Sequence, residues 1–478
     1  MNAAELLNAL KNTDHPTKTT EVLQRAIDDT AEQGGGLVLV PPGTWTICTL
    51  LLRSNITLHL QRGCVLQAHD DLGDYPTGQR GHNKDRTAYH LIVADGCERL
   101  TIEGDGVIDG RGELFWERPL RDLKAEGVDI SEDIKRAPRH WPIEGPFYRG
   151  WNPRISPMIE LRHCTDLVLR DVVIRNSPGW TVHPFCCDRV RIEGIVIDDH
   201  MYGPNTDGID VNGCRDVLIN NCRIVGCDDS IILKATPDAR TCERIAVTNC
   251  TLKTNCAALG LGAETTSGIR DVTFSNCVVE QALRMIQFEM WAPGFIENVT
   301  VNNITGRCMV PSEIPQEKVI YADIQHHGRG PDSELGSMRN IVISGITAET
   351  KGRGVLLTAA DGAMIENVTI RDVHLTYPQM EDQTAQAKIC KSSQNSNDNP
   401  WAQAMNSVVV AENVRGLWLE NVRAQTPPAD GKMIPEYRAV AARNLQQGVI
   451  DCPWLASNGE LDSVLLEACD DVDVRAIG

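Results

Sequence analysis

Short runs of Val, Ile and Leu alternate with polar residues through most of the chain, and Asn, Asp and Gly mark the corners between them. One phrase recurs: Cys97-Glu-Arg-Leu-Thr-Ile, Cys164-Thr-Asp-Leu-Val-Leu, Cys187-Asp-Arg-Val-Arg-Ile, Cys214-Arg-Asp-Val-Leu-Ile and Cys242-Glu-Arg-Ile-Ala-Val. The starts at Cys187, Cys214 and Cys242 are 27 and 28 residues apart. A second phrase begins at Asp216, Asp271, Asn298, Asn340 and Asn367, each followed by Val or Ile and a further alternating run. Such runs between turn residues predict strands. Parallel strands in an open sheet need helical crossovers, and no helical period separates these runs. The pattern therefore predicts an all-β solenoid, a single-stranded right-handed parallel β-helix, as one domain over residues 1–478. Only Thr19–Glu32 has a helical period, with Val22, Leu23, Ala26 and Ile27 on one face. Residues 1–35 are expected to cap the solenoid end, which would otherwise expose a sheet edge.

Two stretches break the rhythm. Residues 113–156 carry Phe115, Trp116, Trp141, Phe147, Tyr148 and Trp151, and residues 376–407 are polar. Both are expected to be loop insertions that line a cleft. The 17 cysteines lack zinc-site spacing and recur once per coil, so they read as small buried apolar residues with free thiols. No secretory leader or membrane span is evident, and a cytoplasmic location is the expectation. A net charge of −19 disfavours nucleic acid as a partner. No cofactor, metal or membrane partner is implied, and the oligomeric state is open.

The chemistry concentrates in Asn205-Thr-Asp207-Gly and Gly226-Cys-Asp228-Asp229-Ser. Asp207 and Asp228 are 21 residues apart, close to one coil. Stacked coils lie about 4.8 Å apart, so three carboxylates would share a face. Repulsion between like charges raises the pKa of at least one of them. Acid/base hydrolysis of a glycosidic bond needs such a group. An Asx turn at Asp207 and a solvated corner at Asp228-Asp229 are the structural alternatives.

The order and spacing of several motifs resemble glycoside hydrolase family 28, the polygalacturonase and rhamnogalacturonan hydrolase group, from about Thr19 to Val422. The matching pieces are Gly34-Gly-Gly-Leu-Val-Leu-Val-Pro-Pro-Gly, Gly106-Val-Ile-Asp-Gly-Arg-Gly, Asn176-Ser-Pro-Gly-Trp-Thr-Val-His183, Asn205-Thr-Asp-Gly and Asp228-Asp-Ser-Ile-Ile-Leu-Lys234. The resemblance implies an inverting hydrolase in which Asp228 protonates the leaving oxygen while Asp207 and Asp229 hold the water. It further implies substrate contacts from Asn205, His183, Lys234, Glu264 and Arg284. For His183 and Lys234, a structural histidine and an exposed coil residue remain open. Two departures stand out. The family's Gly-His-Gly aligns with Cys256-Ala257-Ala258, so its histidine is missing. Its Arg-x-Lys aligns with Arg284-Met-Ile286, so the lysine that grips a galacturonate carboxylate is missing too. An isoleucine cannot supply that charge, which places mixed pectic oligosaccharides beside plain galacturonan as substrates. Exo-action on short oligosaccharides is the expectation. A polysaccharide lyase with calcium at the three aspartates and a non-catalytic carbohydrate-binding solenoid are the alternatives.

Overall fold

The computed structural model describes residues 3–478 apart from 79–80, 82–85, 130–152, 312–316, 327–333, 379–399, 426–436 and 458–461. The chain divides into two compact units, with the principal sequence boundary between Thr254 and Asn255.

The first unit builds three stacks of parallel strands. The stack that carries the candidate site comprises Ile92–Asp95, Ile159–Arg162, Val182–Phe185, Ile209–Asn212 and Ile231–Ala235. A second stack comprises Glu98–Glu103, Thr165–Arg170, Asp188–Glu193, Arg215–Asn220 and Cys242–Thr248. The third runs from Val107–Asp109 through Val173–Arg175, Val196–Asp198 and Arg223–Val225 to Thr251–Lys253. This is a parallel β-helix, as the repeats predict. The register pairs Asp188 with Arg215 and Arg215 with Glu243, reproducing the 27- and 28-residue periods.

Alternation explains the interior. Leu100, Leu167, Val190, Val217 and Ile245 form one buried column, and Ile102, Leu169, Ile192, Ile219 and Val247 form the next. Full burial of each such side chain contributes about 1.5–3 kcal/mol. The corner cysteines Cys97, Cys164, Cys187, Cys214 and Cys242 are buried, and no described cysteine forms a disulfide. Cys187 Sγ accepts from Cys164 N and Cys214 Sγ from Cys187 N, each at 3.3 Å. The thiols thus cap corner amides as well as filling space.

The capping helix is Pro16–Glu32, three residues longer at its start than expected, with Leu23, Ala26 and Ile27 buried. Its Gln24 side chain donates to Leu51 O and accepts from Leu51 N, both at 2.8 Å. A helix side chain thereby satisfies an open strand edge. A second helix, Ala3–Lys11, buries Leu6 and Leu10; the sequence reading found no helix there, because nine residues are too few for a clear period.

In the second unit the strands merge into longer ones. Ile269–Gln281, Phe295–Cys308, Ser337–Thr350, Ile365–Thr376 and Ser407–Gln425 stack in parallel. Beside them lie Ala257–Thr265, Arg284–Met290, Lys318–Ile324 and Arg353–Ala359. Coils continue past Val422 through Arg438–Cys452. The recurring Asn/Asp has a backbone cause: Asp271, Asn298, Asn340 and Asn367 all have φ between 55° and 58°, a region these residues enter with least strain after glycine. Their side chains form a ladder, Asn367 to Asn340 to Asn298 to Asp271, at 3.1–3.2 Å. Of the 113–156 insertion, Phe115 and Trp116 are buried. Trp141, Phe147, Tyr148 and Trp151 lie outside the described residues, as does most of 376–407.

Candidate active site

The backbone ladder sets the site. Val182 pairs with Ile209 and Ile209 with Ile231. Thr181 N donates to Asp207 O at 3.0 Å, and Gly208 N donates to Asp229 O at 2.8 Å. Asp207 therefore stands one coil from Asp229, and Asp228 is the residue just before. Two glycines permit this approach. A Cβ on Gly226 would sit 2.5 Å from Thr206 O, and one on Gly208 would collide with Ser230 O. Across the gap, Thr206 Oγ1 accepts from Cys227 N at 2.9 Å.

The three carboxylates differ in environment. Asp207 is 3% exposed and Asp229 9%, while Asp228 is half-buried. Burial raises the Asp207 pKa well above the ordinary range, and the Asp228, Asp210 and Asp229 carboxylates raise it further against the pull of Lys234. Asp207 Oδ1 has no hydrogen-bond partner among the described residues. The group holds a proton that an isolated aspartic acid would have lost, and that proton belongs to the cluster rather than to one oxygen. Asp228 is held at both oxygens: Asp229 N donates to Oδ1 at 3.1 Å and Asn205 Nδ2 to Oδ2 at 3.2 Å. Arg154 in turn donates to Asn205 Oδ1 at 3.1 Å, which orients the amide. Thr254 Oγ1 donates to the Asp228 carbonyl.

A second polar group shares this strand stack. His183 is fully buried, with Nδ1 donating to Glu160 Oε2 at 2.6 Å and Asn212 Nδ2 3.4 Å from Nε2. Burial would raise the Glu160 pKa, but the hydrogen bond from His183 and the charge of Arg86 hold it below the usual carboxylate range. Burial pushes the His183 pKa down. A neutral imidazole thus donates to an anionic Glu160. Arg86 and Arg162 approach the same carboxylate at 3.7 and 3.4 Å. His183 offers no surface to a sugar in this state. Lys234, 7% exposed, lies 3.8 Å from Asp210 Oδ1 and 5.0 Å from the Trp180 ring centre, so it is no exposed coil residue. Burial raises the Asp199 pKa to about 7, although Ser177 N at 2.7 Å and Thr181 Oγ1 at 2.6 Å both donate to it. Glu160, Arg154, Asp199 and Asp210 were missed by the sequence reading. Coil spacing carried a signal for the first, since Glu160 pairs with His183 in the register.

In the second unit Arg284 is 8% exposed. It donates to Cys256 Sγ at 2.8 Å and approaches Glu289 Oε1 at 3.4 Å. Ala257 is its register partner, and Ile286, opposite Leu259, is fully buried. Lys318 pairs with Arg284 on the next coil. Burial, with Arg284 and Arg353 nearby, lowers its pKa to about 7. Sequence alignment by neighbouring residues could not find this lysine, because it lies a whole coil away. Glu264 is half-buried within Ala257–Thr265.

Comparison with known proteins addresses the family and the fold. A profile of glycosyl hydrolases family 28 matches residues 136–396. The chain is 26% identical to a "Probable polygalacturonase" of Vitis vinifera over 389 residues, covering 75% of this chain and 72% of that protein. It is also 26% identical to an exo-poly-alpha-D-galacturonosidase of Dickeya chrysanthemi over 56% of this chain, but spans only 48% of that protein. An exopolygalacturonase from Thermotoga maritima has a similar fold, with a TM-score of 0.64 at 22% identity over 88% of this chain and 95% of that one.

Proposed function

Because the chain belongs to glycosyl hydrolases family 28 and is a glycoside hydrolase, we propose that it cleaves galacturonate-containing, pectin-type oligosaccharides by inversion, acting from a chain end. The observation that carries the reading is the cluster of Asp207, Asp228 and Asp229 on neighbouring coils, where burial and mutual repulsion retain a shared proton that we place on Asp228 in the reacting state. Asp228, the most exposed of the three, protonates the leaving oxygen. Asp207 and Asp229 position and deprotonate the attacking water. Inversion requires the acid and base carboxyls roughly 6.5–9.5 Å apart, with room for that water. Asn205 fixes the acid's orientation through its bond to Asp228 Oδ2. The Glu160–His183–Asn212 group acts by holding the strand stack rather than by touching sugar.

Substrate preference follows from cations. Arg284 is the cation that would grip a uronate carboxylate where Ile286 cannot, and Lys318, buried on the next strand, adds positive charge behind it. The names of the Dickeya and Thermotoga proteins support exo-action. The test is digestion of a defined galacturonate oligomer, followed by proton NMR of the first anomer formed and chromatography of product lengths. Inverted anomer with monomer or dimer as the early product supports the reading. Retained anomer, or random internal cuts, overturns its respective half.

A further inference from the structure

A separate cluster lies beside the start of the capping helix, in the first unit. His69 follows the strand Cys64–Ala68, and Asp74 ends the short turn Leu72–Asp74. Asp70 Oδ1 lies 3.1 Å from His69 Nδ1. His69 Nε2 forms a hydrogen bond with Asp74 Oδ2 at 3.0 Å on the other side of the ring. His15 Nε2 is turned toward the same oxygen, at 3.9 Å. The His15 and His69 rings meet edge to face, 5.7 Å between centres.

We propose that His15 Nε2, His69 Nε2 and Asp74 Oδ2 form a binding site for zinc or a similar transition-metal ion, which ties the N-terminus of the capping helix to the first coils. The three donor atoms lie within 4.8 Å of one another. Donors bound at 2.0–2.1 Å in a tetrahedron are separated by roughly 3.3 Å, so closure needs only small side-chain movements. The surrounding bonds suit ligation. Asp70 orients His69 as carboxylates orient metal-bound imidazoles. His15 Nδ1 caps the helix by accepting from Thr17 N at 3.3 Å, and Thr17 Oγ1 at 2.9 Å is placed to accept a proton from Nδ1 when a metal on Nε2 shifts the tautomer. The frame is fixed: Tyr75 OH donates to His69 O at 2.7 Å, His69 N donates to Ile47 O at 2.9 Å, and Asp71 Oδ1 accepts from Gly73 N at 2.8 Å. His15 and Asp74 are partly exposed, which leaves the fourth position to water. A proton on His69 would satisfy Asp70 and Asp74 without His15. The second imidazole converging on the same oxygen is what a metal accounts for.

The test uses the full chain, stripped with a chelator and titrated with zinc chloride by calorimetry and with cobalt(II) by absorbance. His15→Asn removes the ligand but keeps a favoured helix N-cap, and Asp74→Asn removes the shared oxygen. The wild type should bind one equivalent that each variant weakens by roughly 100-fold or more, with a zinc-dependent rise in Tm seen only in the wild type. Cobalt should give tetrahedral bands without thiolate charge transfer. Absence of binding to the wild type, equal binding by either variant, or thiolate bands on the lost equivalent would each overturn the proposal.

Discussion

Gly226→Ala should disable the enzyme without unfolding it. Gly226 precedes Cys227-Asp228-Asp229, and an added Cβ would lie 2.5 Å from Thr206 O. Ordinary contact begins near 3.4 Å, so the two coils must part locally by about 0.9 Å. Thr206 and Asp207 are neighbours in the chain, so the separation falls directly between Asp207 and the Asp228-Asp229 pair. The φ of Gly226 is not in the left-handed region, so alanine brings crowding without backbone strain. Overpacking of this kind costs about 1–3 kcal/mol. A catalytic misplacement near 1 Å costs roughly 100-fold in rate. The assay is reducing-sugar release from a galacturonate oligomer at saturating substrate, at a temperature where circular dichroism shows the variant folded. A kcat within threefold of wild type, in a folded variant, would refute the claim that coil spacing at this corner sets the carboxylate geometry.

Other perturbations separate catalysis from stability. Asp207→Asn should lower kcat by roughly 10²–10⁴-fold; because the native Asp207 pKa is raised, the wild type loses stability as pH climbs from the unfolded pKa upward, and urea melts of the variant should lack that loss. Glu160→Gln removes the buried carboxylate that His183, Arg86 and Arg162 share, leaving Arg86 its pair with Asp238, and should destabilise by about 1–3 kcal/mol in urea melts. In the second unit Asp323 has its pKa raised by burial to about 7 from 3.8, roughly three units or on the order of 4 kcal/mol. Its contribution is lost as pH rises from about 4 to 7, so Asp323→Asn should flatten that limb of the pH–stability curve. Lys318, lowered to about 7, is protonated in the unfolded chain up to about pH 10. Stability should therefore rise from pH 7 to 10 in the wild type and not in Lys318→Met, and KM for a uronate substrate should rise above pH 7 as the charge is lost.

The solenoid was legible because its physics is local and repeated. Each coil must bury the same two or three apolar positions, and each corner must tolerate φ near +55°, which is why Asn298, Asn340 and Asn367 are asparagine. The carboxylate cluster was legible because Asp207 and Asp228 are nearly one coil apart. What stayed hidden depends on register. Lys318 reaches Arg284 only through strand pairing, 34 residues further along the chain. Glu160 and His183 were separable from ordinary surface residues only once the 23-residue coil between them was known. The role of Gly226 and Gly208 was invisible because a close approach between chains leaves no pattern along either one.

The most direct test of the account is the turnover of a galacturonate oligomer by wild type and Asp228→Asn, each verified as folded, followed as reducing-end release. The account predicts clear hydrolysis by the wild type and a loss of roughly 10²–10⁴-fold in kcat for the variant. A variant that matches the wild type would contradict the assignment of Asp228 as the acid, and a wild type without turnover would contradict the substrate.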